Sequence, residues 1–335
     1  MNKRSQIWIG ALLACAALGA AGAYLMLGQP KPPVATASRP VQPKVDLAAC
    51  RPGEPTIDDP THDESVLAAL YGKENLVTAT DGITGGEHGA LGNPVFSNPL
   101  EDDWSGSFQS LVDRQKITLG GTEHWVLILE SAQLDQAEVQ DPLPPHTVRL
   151  DITHAASRET AVLLLSACRG ANKTSWQPQG HLEALGQFGS MGSGASVSFI
   201  TLGKDHPGVL LSGAGTWQGF TIGNSELFAW DGKHFARVLS FQDTYTEEGF
   251  GACGDDADAT DKEAGEKKPA CREVDNKLDL KPHADAGQTA PNWLPIVVHS
   301  RFVDAKGVEH KRDVTLTYRK GQYQPVKGTL PEVEA

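Results

Sequence analysis

Residues 227–235 read LFAWDGKHF, and this stretch decides the fold. Apolar and aromatic residues stand on both sides of Asp231 and Gly232. An Asp-Gly pair between two strand-like runs is typical of a type I′ β-hairpin, in which both central residues have positive φ. The stretch therefore predicts two antiparallel strands joined by a tight turn.

Runs of similar composition extend outward from this hairpin and are separated by turns that contain Gly. Strands at such short intervals are typical of β-sandwiches, barrels and propellers. The sequence therefore predicts a mainly β fold, an antiparallel β-rich domain of the sandwich, barrel or propeller type. We expect strands at residues 115–119, 124–130, 146–153, 160–168, 196–202, 208–212, 216–222, 226–230, 234–241, 296–303, 308–319 and 322–326.

One short helix is predicted near the start of this β-rich region, over residues 61–72. Asp63 and Glu64 would lie in its first turn, where acidic side chains are favourable, and Gly72 would end it. Residues 81–107 are rich in Gly, Asn, Pro and Asp, which predicts a long loop.

The N-terminal residues 1–28 predict a single transmembrane or signal helix. Residues 7–27 carry no charge and are long enough to span a bilayer, and Lys3 and Arg4 would keep the leading end in the cytoplasm. The apolar run continues past the small residues 21–23, so we favour an uncleaved signal anchor over a signal peptide cut after them. A lipoprotein is a third interpretation, because residues 12–15, LLAC, resemble a bacterial lipobox ending in Cys15.

Residues 29–46 contain five prolines and predict an extended linker, since proline at that density favours polyproline II. Residues 47–335 then form an exported β-rich globular region. We expect a single-pass protein of the bacterial inner membrane with its C-terminal domain in the periplasm. A cleaved periplasmic protein and a lipoprotein are the alternatives.

The charge of the chain limits its partners. The formal net charge is −13, and without the leading cations Lys3 and Arg4 it becomes −15. Such a surface repels nucleic acid and anionic lipid, so we expect no nucleic-acid partner and membrane contact through the N-terminal helix only. Cations, a basic envelope protein or a small ligand are compatible with it.

Four of the five cysteines lie in the exported region, and an even number in an oxidising compartment predicts two disulfides. Cys253 and Cys271 bracket a polar segment that cannot order itself by burying apolar side chains, so we pair these two. Cys50 and Cys168 then pair by default, which ties the end of the linker to the domain.

Motifs for catalysis or for cofactors are weak in this sequence. The signatures of serine hydrolases, G-x-S-x-G, and of zinc peptidases, H-E-x-x-H, do not occur. Residues 186–194 are Gly-rich but lack the P-loop ending, which favours a compact turn before the strand at 196. The segment 254–270 resembles a calcium loop from Asp256 onward but lacks the required Gly and Glu, so we interpret it as a flexible acidic loop. We expect no metal and no cofactor.

These observations favour a non-enzymatic binding or interaction module in the cell envelope. The alternative is an envelope hydrolase acting on cell-wall or sugar substrates, with His88 and either Asp102 or Asp103 as acid and base in the predicted loop. Tryptophans could also line a sugar-binding face, although aromatic side chains more often fill a β core. The tryptophans considered are Trp104, Trp125, Trp176, Trp217, Trp230 and Trp293.

Overall fold

The structure, a computed structural model, describes residues 47–80, 86–92, 107–134, 146–150, 156–171, 173–247, 249, 253, 270–280 and 292–333. Backbone contacts divide the chain after Val45, and the unit Asp46–Ala335 contains all of these residues. In this described part no helix is long and apolar enough to cross a membrane. The predicted helix at 1–28 and the linker at 29–46 lie outside it.

Among the described residues the fold is mainly β, as predicted, with two eight-stranded sheets in which all strand pairings but one are antiparallel. Sheet 1 has the order β5-β1-β2-β3-β4-β6-β7, with β8 also pairing with β6, and the one parallel pair is β1 with β5. Its strands are β1 (Leu76–Thr80), β2 (Glu87–Gly92), β3 (Ser107–Leu119), β4 (Thr122–Gln133), β5 (Thr147–Arg149), β6 (Arg158–Arg169), β7 (Thr174–Pro178) and β8 (Glu183–Phe188).

Sheet 2 is a meander in which each strand pairs with the next one along the chain. Its strands are β9 (Ser196–Thr201), β10 (Pro207–Trp217), β11 (Phe220–Trp230), β12 (Phe235–Thr246), β13 (Glu273–Leu278), β14 (Ile296–Val303), β15 (Glu309–Arg319) and β16 (Gln322–Pro325).

The alternation of side chains along the central strands explains how the layers pack. In β4, Val126 and Ile128 join Val209 and Leu211 of β10 in a buried cluster shared by the two sheets. Intervening residues such as Leu127 point to the opposite face and pack with the helix. Sheet 2 also curls on itself, because residues of β10–β12 share a second cluster with residues of β14–β16.

The predicted helix is confirmed as α1, Asp63–Tyr71, which is followed by a 3-10 turn at Lys73–Asn75. Val66 and Leu67 are its buried residues and pack on sheet 1. Ahead of it, residues 47–58 run along β6 and β7, where Ile57 and Trp176 exchange both backbone hydrogen bonds at 2.8 and 2.9 Å. This segment covers an edge of the sheet that would otherwise offer unpaired backbone groups.

The prediction of two disulfides is confirmed. Cys50 is bonded to Cys168, and Cys253 to Cys271, with Cα–Cα distances of 4.9 Å in both. Cys168 lies on β6, so the first bond fastens the beginning of the described chain to an inner strand of sheet 1.

The hairpin at LFAWDGKHF exists, but the expected type I′ turn is wrong. The Asp231 N–H donates to the His234 carbonyl at 3.1 Å, so the central residues are Gly232 and Lys233. Only Gly232 has positive φ, at 107°. The Asp231 carboxylate instead accepts hydrogen bonds from the N–H groups of Lys233 and His234 at 2.8 and 3.0 Å, so its side chain caps the turn.

Two further sequence predictions are corrected. Residues 216–222 are not one strand, because β10 ends at Trp217 and β11 begins at Phe220. Gln218 and Gly219 between them have φ of 48° and 89°, the pattern of a type I′ turn. Residues 81–107 are not a continuous loop either, because β2 lies within them. Residues 81–85 and 93–106 lie outside the described part.

Candidate functional site

The predicted acid and base are not brought together in the described part of the chain. His88 is exposed on β2 and its Nδ1 lies 3.4 Å from the hydroxyl of Thr78. No described carboxylate forms a hydrogen bond or an ion pair with His88. Asp102 and Asp103 lie outside the described residues.

The tryptophans considered for a sugar-binding face do not lie together on one surface among the described residues. Trp125 and Trp176 pack edge to face at 6.2 Å. Trp230 is buried in the cluster shared by the two sheets, and Trp293 in the cluster within sheet 2. Trp217 alone of these five is strongly exposed, with 50% of its surface accessible. Trp104 lies outside the described part.

The acidic segment 254–270 lies outside the described part except for its last residue, Ala270. Elsewhere, within the ranges that the structure describes, no group of three or more His, Cys, Asp or Glu side chains is placed to hold a metal ion.

A charged cluster that the sequence analysis did not predict lies at one end of the core between the sheets. Glu130 ends the buried run of β4 and faces Thr160 on β6, and Arg158 lies two residues before Thr160 on the same face. The Arg158 guanidinium donates from Nη1 and Nη2 to the two carboxylate oxygens of Glu87, at 3.0 and 2.9 Å. Its Nη1 also lies 3.7 Å from Oε2 of Glu130.

His88 does not join this cluster although it follows Glu87 directly. Successive side chains of a strand point to opposite faces, so Glu87 faces Arg158 while His88 faces away. The alternation of β2 thus separates the predicted acid-base residue from the buried charges.

Glu130 is 3% exposed, which is unusual for a carboxylate. Its Oε1 accepts hydrogen bonds from the Ala195 N–H at 2.6 Å and from the Thr160 hydroxyl at 3.4 Å. Burial raises the pKa of the Glu130 carboxyl, and the Ala195 N–H and the Arg158 charge oppose that rise. A β-carbon on Gly194 would lie 1.9 Å from Oε2 of Glu130, so only glycine fits beside this carboxylate.

The cluster holds the loop that links β8 to β9, residues 189–195, which we call the glycine loop. Besides the Glu130–Ala195 bond, the Arg158 Nε donates to the Gly192 carbonyl at 2.7 Å, and the Gly192 N–H donates to the Ala156 carbonyl at 2.9 Å. Met191 at the tip is 55% exposed and has φ of 54°, an uncommon conformation for a residue with a side chain. Backbone hydrogen bonds on its inner side therefore hold the glycine loop, and the Met191 side chain points outward.

The exposed Trp217 lies next to the glycine loop. A β-carbon on Gly213 of β10 would lie 2.7 Å from the backbone nitrogen of Gly189, so the loop rests on the strand there. A β-carbon on Gly215 would lie 2.0 Å from Cη2 of Trp217, so the indole covers that glycine. Gly213 and Gly215 share one face of β10, which puts the indole beside the glycine loop.

The chemistry available to these two features differs. A carboxyl with a raised pKa beside a guanidinium is a general-acid arrangement. Here the Glu130 carboxyl is 3% exposed and is in contact with Gly194, Ala195, Thr160 and Arg158. The charged cluster therefore holds the backbone of the glycine loop in place. The exposed Trp217 and Met191 are the side chains there that can contact another molecule.

The fold and these features define the class: a disulfide-bonded protein of two mainly antiparallel β-sheets, with a loop held by buried charged residues and an exposed tryptophan packed over a glycine. Comparison with known proteins finds no matching protein family, no matching curated protein and no matching solved structure.

Proposed function

We propose that this protein is a non-enzymatic binding module displayed in the bacterial periplasm. In this proposal residues 1–28 anchor it in the inner membrane as a single uncleaved helix, and residues 29–46 hold the β-rich region away from the bilayer. Its partner is an envelope protein or a small ligand.

Export is supported by the two disulfides, which are consistent with an oxidising location. In the cytoplasm the reducing thiol pool would keep such cysteines free. The uncharged segment 7–27, preceded by Lys3 and Arg4, supplies the signal that an exported chain needs.

The proposal rests mainly on the disulfide and the backbone hydrogen bonds that fasten the chain to sheet 1 directly after the proposed linker. Cys50 follows the proposed linker almost directly and is bonded to Cys168 on β6. Around the disulfide, the Arg169 N–H donates to the Ala48 carbonyl at 2.7 Å, and the Cys50 N–H donates to the Arg169 carbonyl at 3.2 Å. A covalent bond at this point suits a domain that is held by its N-terminal end.

A binding role is supported by the glycine loop and Trp217. Binding sites on rigidly supported elements lose little conformational entropy when a partner arrives. The glycine loop is fixed by Glu130 and Arg158 from below, and the Trp217 indole is backed by Gly215. Both elements leave apolar side chains exposed.

The test is intact-mass spectrometry of the natively expressed protein, from membrane and soluble envelope fractions, with thiol alkylation before and after reduction. We expect the full-length mass in the membrane fraction, with four additional thiols alkylated only after reduction. A chain that begins near residue 24 in the soluble fraction would replace the anchor with a cleaved signal. Four thiols alkylated without reduction would refute export.

A further inference from the structure

The two chain segments beside Trp217 contain no charged residues. Charged residues make up 21% of the chain, yet residues 184–203 and 212–225 contain no Asp, Glu, Lys, Arg or His. These two stretches include the glycine loop and the hairpin that carries Trp217. The charges nearest the hairpin come from β12 and the segment after it, where the Asp243 carboxylate accepts a hydrogen bond from the Ser225 hydroxyl at 2.5 Å.

The exposed groups near the indole are polar but neutral. Gln218, which follows Trp217 in the turn, is exposed. Thr216 is also exposed but points to the opposite face of the strand, where its hydroxyl lies 2.9 Å from that of Thr221. Asn224 is exposed and pairs with Gly213, on the same face of the hairpin as the indole. Side-chain amides and hydroxyls are both donors and acceptors, which suits a ligand that carries hydroxyl groups.

The indole is held in place before any ligand binds. Its six-membered ring occupies the space over Gly215 where any other residue would have a β-carbon, and Gly215 itself is buried beneath it. Half of the Trp217 surface remains exposed. The indole is thus supported by the strand and half-exposed at the surface.

We propose that Trp217 is the stacking platform of a binding site for a neutral saccharide, which names the ligand class of the proposed binding module. A pyranose whose hydroxyls are equatorial has a flat face of C–H groups that packs against an aromatic ring by dispersion. Its hydroxyls point outward around the ring, where Asn224 and Gln218 offer neutral hydrogen-bonding groups. Polyanionic glycans are disfavoured by the net charge of −13.

The size of the apolar surface favours a sugar over a protein partner. A stable protein interface needs about 800 Å² on each side with an apolar centre. The exposed large apolar side chains of the described part are scattered, and Trp217 and Met191 are the two in this region. One indole matches the face of a single pyranose ring instead.

The experiment is calorimetric and fluorescence titration of the full-length protein in detergent with cellohexaose, with N-acetylchitohexaose and, as the charged probe, with oligogalacturonate. We expect at least one neutral hexasaccharide to bind and to change the tryptophan fluorescence, and the charged probe not to bind. Trp217→Ala should weaken binding at least about tenfold, and Trp217→Tyr should restore part of it because a ring is present again.

Two further variants separate stacking from folding. Gly215→Ala should weaken binding although Trp217 is retained, because the new β-carbon displaces the indole. Val326→Ala removes an equally exposed side chain, 52% accessible, from a different hairpin and should leave binding unchanged.

The proposal is overturned if no neutral hexasaccharide binds, if oligogalacturonate binds instead, or if Trp217→Ala binds as tightly as the unaltered protein while its thermal unfolding is unchanged. These outcomes can be distinguished from failure of the proposed export and anchoring, because thiol alkylation does not depend on any sugar. A free-thiol result with intact sugar binding would refute export alone.

Discussion

Removing the disulfide at the start of the β-rich region should destabilise the protein more than removing the other one. Cys50 and Cys168 are separated by 118 residues, whereas Cys253 and Cys271 are separated by 18. A disulfide lowers the entropy of the unfolded chain by an amount that grows with the logarithm of the loop it closes. The chain-entropy relation gives about 5 kcal/mol for the long loop and about 3 kcal/mol for the short one.

The assay is equilibrium unfolding in urea of the unaltered protein and of two double variants, Cys50→Ala with Cys168→Ala and Cys253→Ala with Cys271→Ala. We expect the free energy of unfolding of the first variant to be lower than that of the second by about 2 kcal/mol. Alanine is suitable because Cys168 is buried and a hydroxyl there would need a partner.

The opposite order would refute the reasoning. If the first double variant is as stable as the second or more so, the bond at Cys50 does not restrict the unfolded chain in the way its loop length implies. The slope of the free energy against urea must also be compared, because a changed slope would mean a changed unfolded state.

Three other outcomes are expected. Because burial raises the pKa of Glu130 above its ordinary 4.5, its contribution to stability is fully present below that pH and is lost as the pH rises through the folded-state pKa. Glu130→Gln should therefore reduce the fall in unfolding free energy between pH 4 and pH 8, and an unchanged pH profile would contradict this. Gly194→Ala should lower the unfolding free energy by about 1–3 kcal/mol, measured in urea, because the β-carbon overlaps the Glu130 carboxylate; an unaltered midpoint would show that the glycine loop yields easily. The imidazole of His299 should titrate by NMR above its usual pKa, and Asp313→Asn should lower that pKa more than Asp279→Asn, because the Asp313 hydrogen bond is the main cause of the rise; equal effects would refute this ranking.

Strands whose side chains alternate locally could be predicted from the sequence, and in sheet 2 their pairings follow from hairpin connections. In sheet 1 they do not, because β4 pairs with β6 and β1 with β5. In β4, apolar residues such as Val126 and Leu127 fill both faces, which predicts a strand covered on two sides. Strands β2 and β13 have no such pattern. Glu87–Gly92 reads EHGALG, and Gly89 is there because a β-carbon would lie 2.3 Å from the ring of Phe108, a contact that no local pattern predicts.

The candidate site could be predicted only in its parts. Glycines 189, 192 and 194 indicate a compact turn, and Trp217 was among the aromatic candidates. The charged cluster needs three strands to meet, because Glu87, Glu130 and Arg158 come from β2, β4 and β6. Glu130 also ends a predicted strand, a place where a carboxylate is usually solvated, so its burial depends on packing by the glycine loop.

The bracing at Cys50 has a mechanical consequence under the proposed topology. A pull transmitted through residues 29–46 would act on the segment 47–58, which lies along a sheet edge and is held by backbone hydrogen bonds such as those between Ile57 and Trp176. Bonds at an edge can open one after another, each for about 1 kcal/mol. The disulfide prevents this stepwise opening, because it transmits the force through Cys168 directly to β6. Strand β6 is paired with β4, β7 and β8. Several strand pairs must then yield together, so a bond to this inner strand protects the fold more than one to an edge strand would.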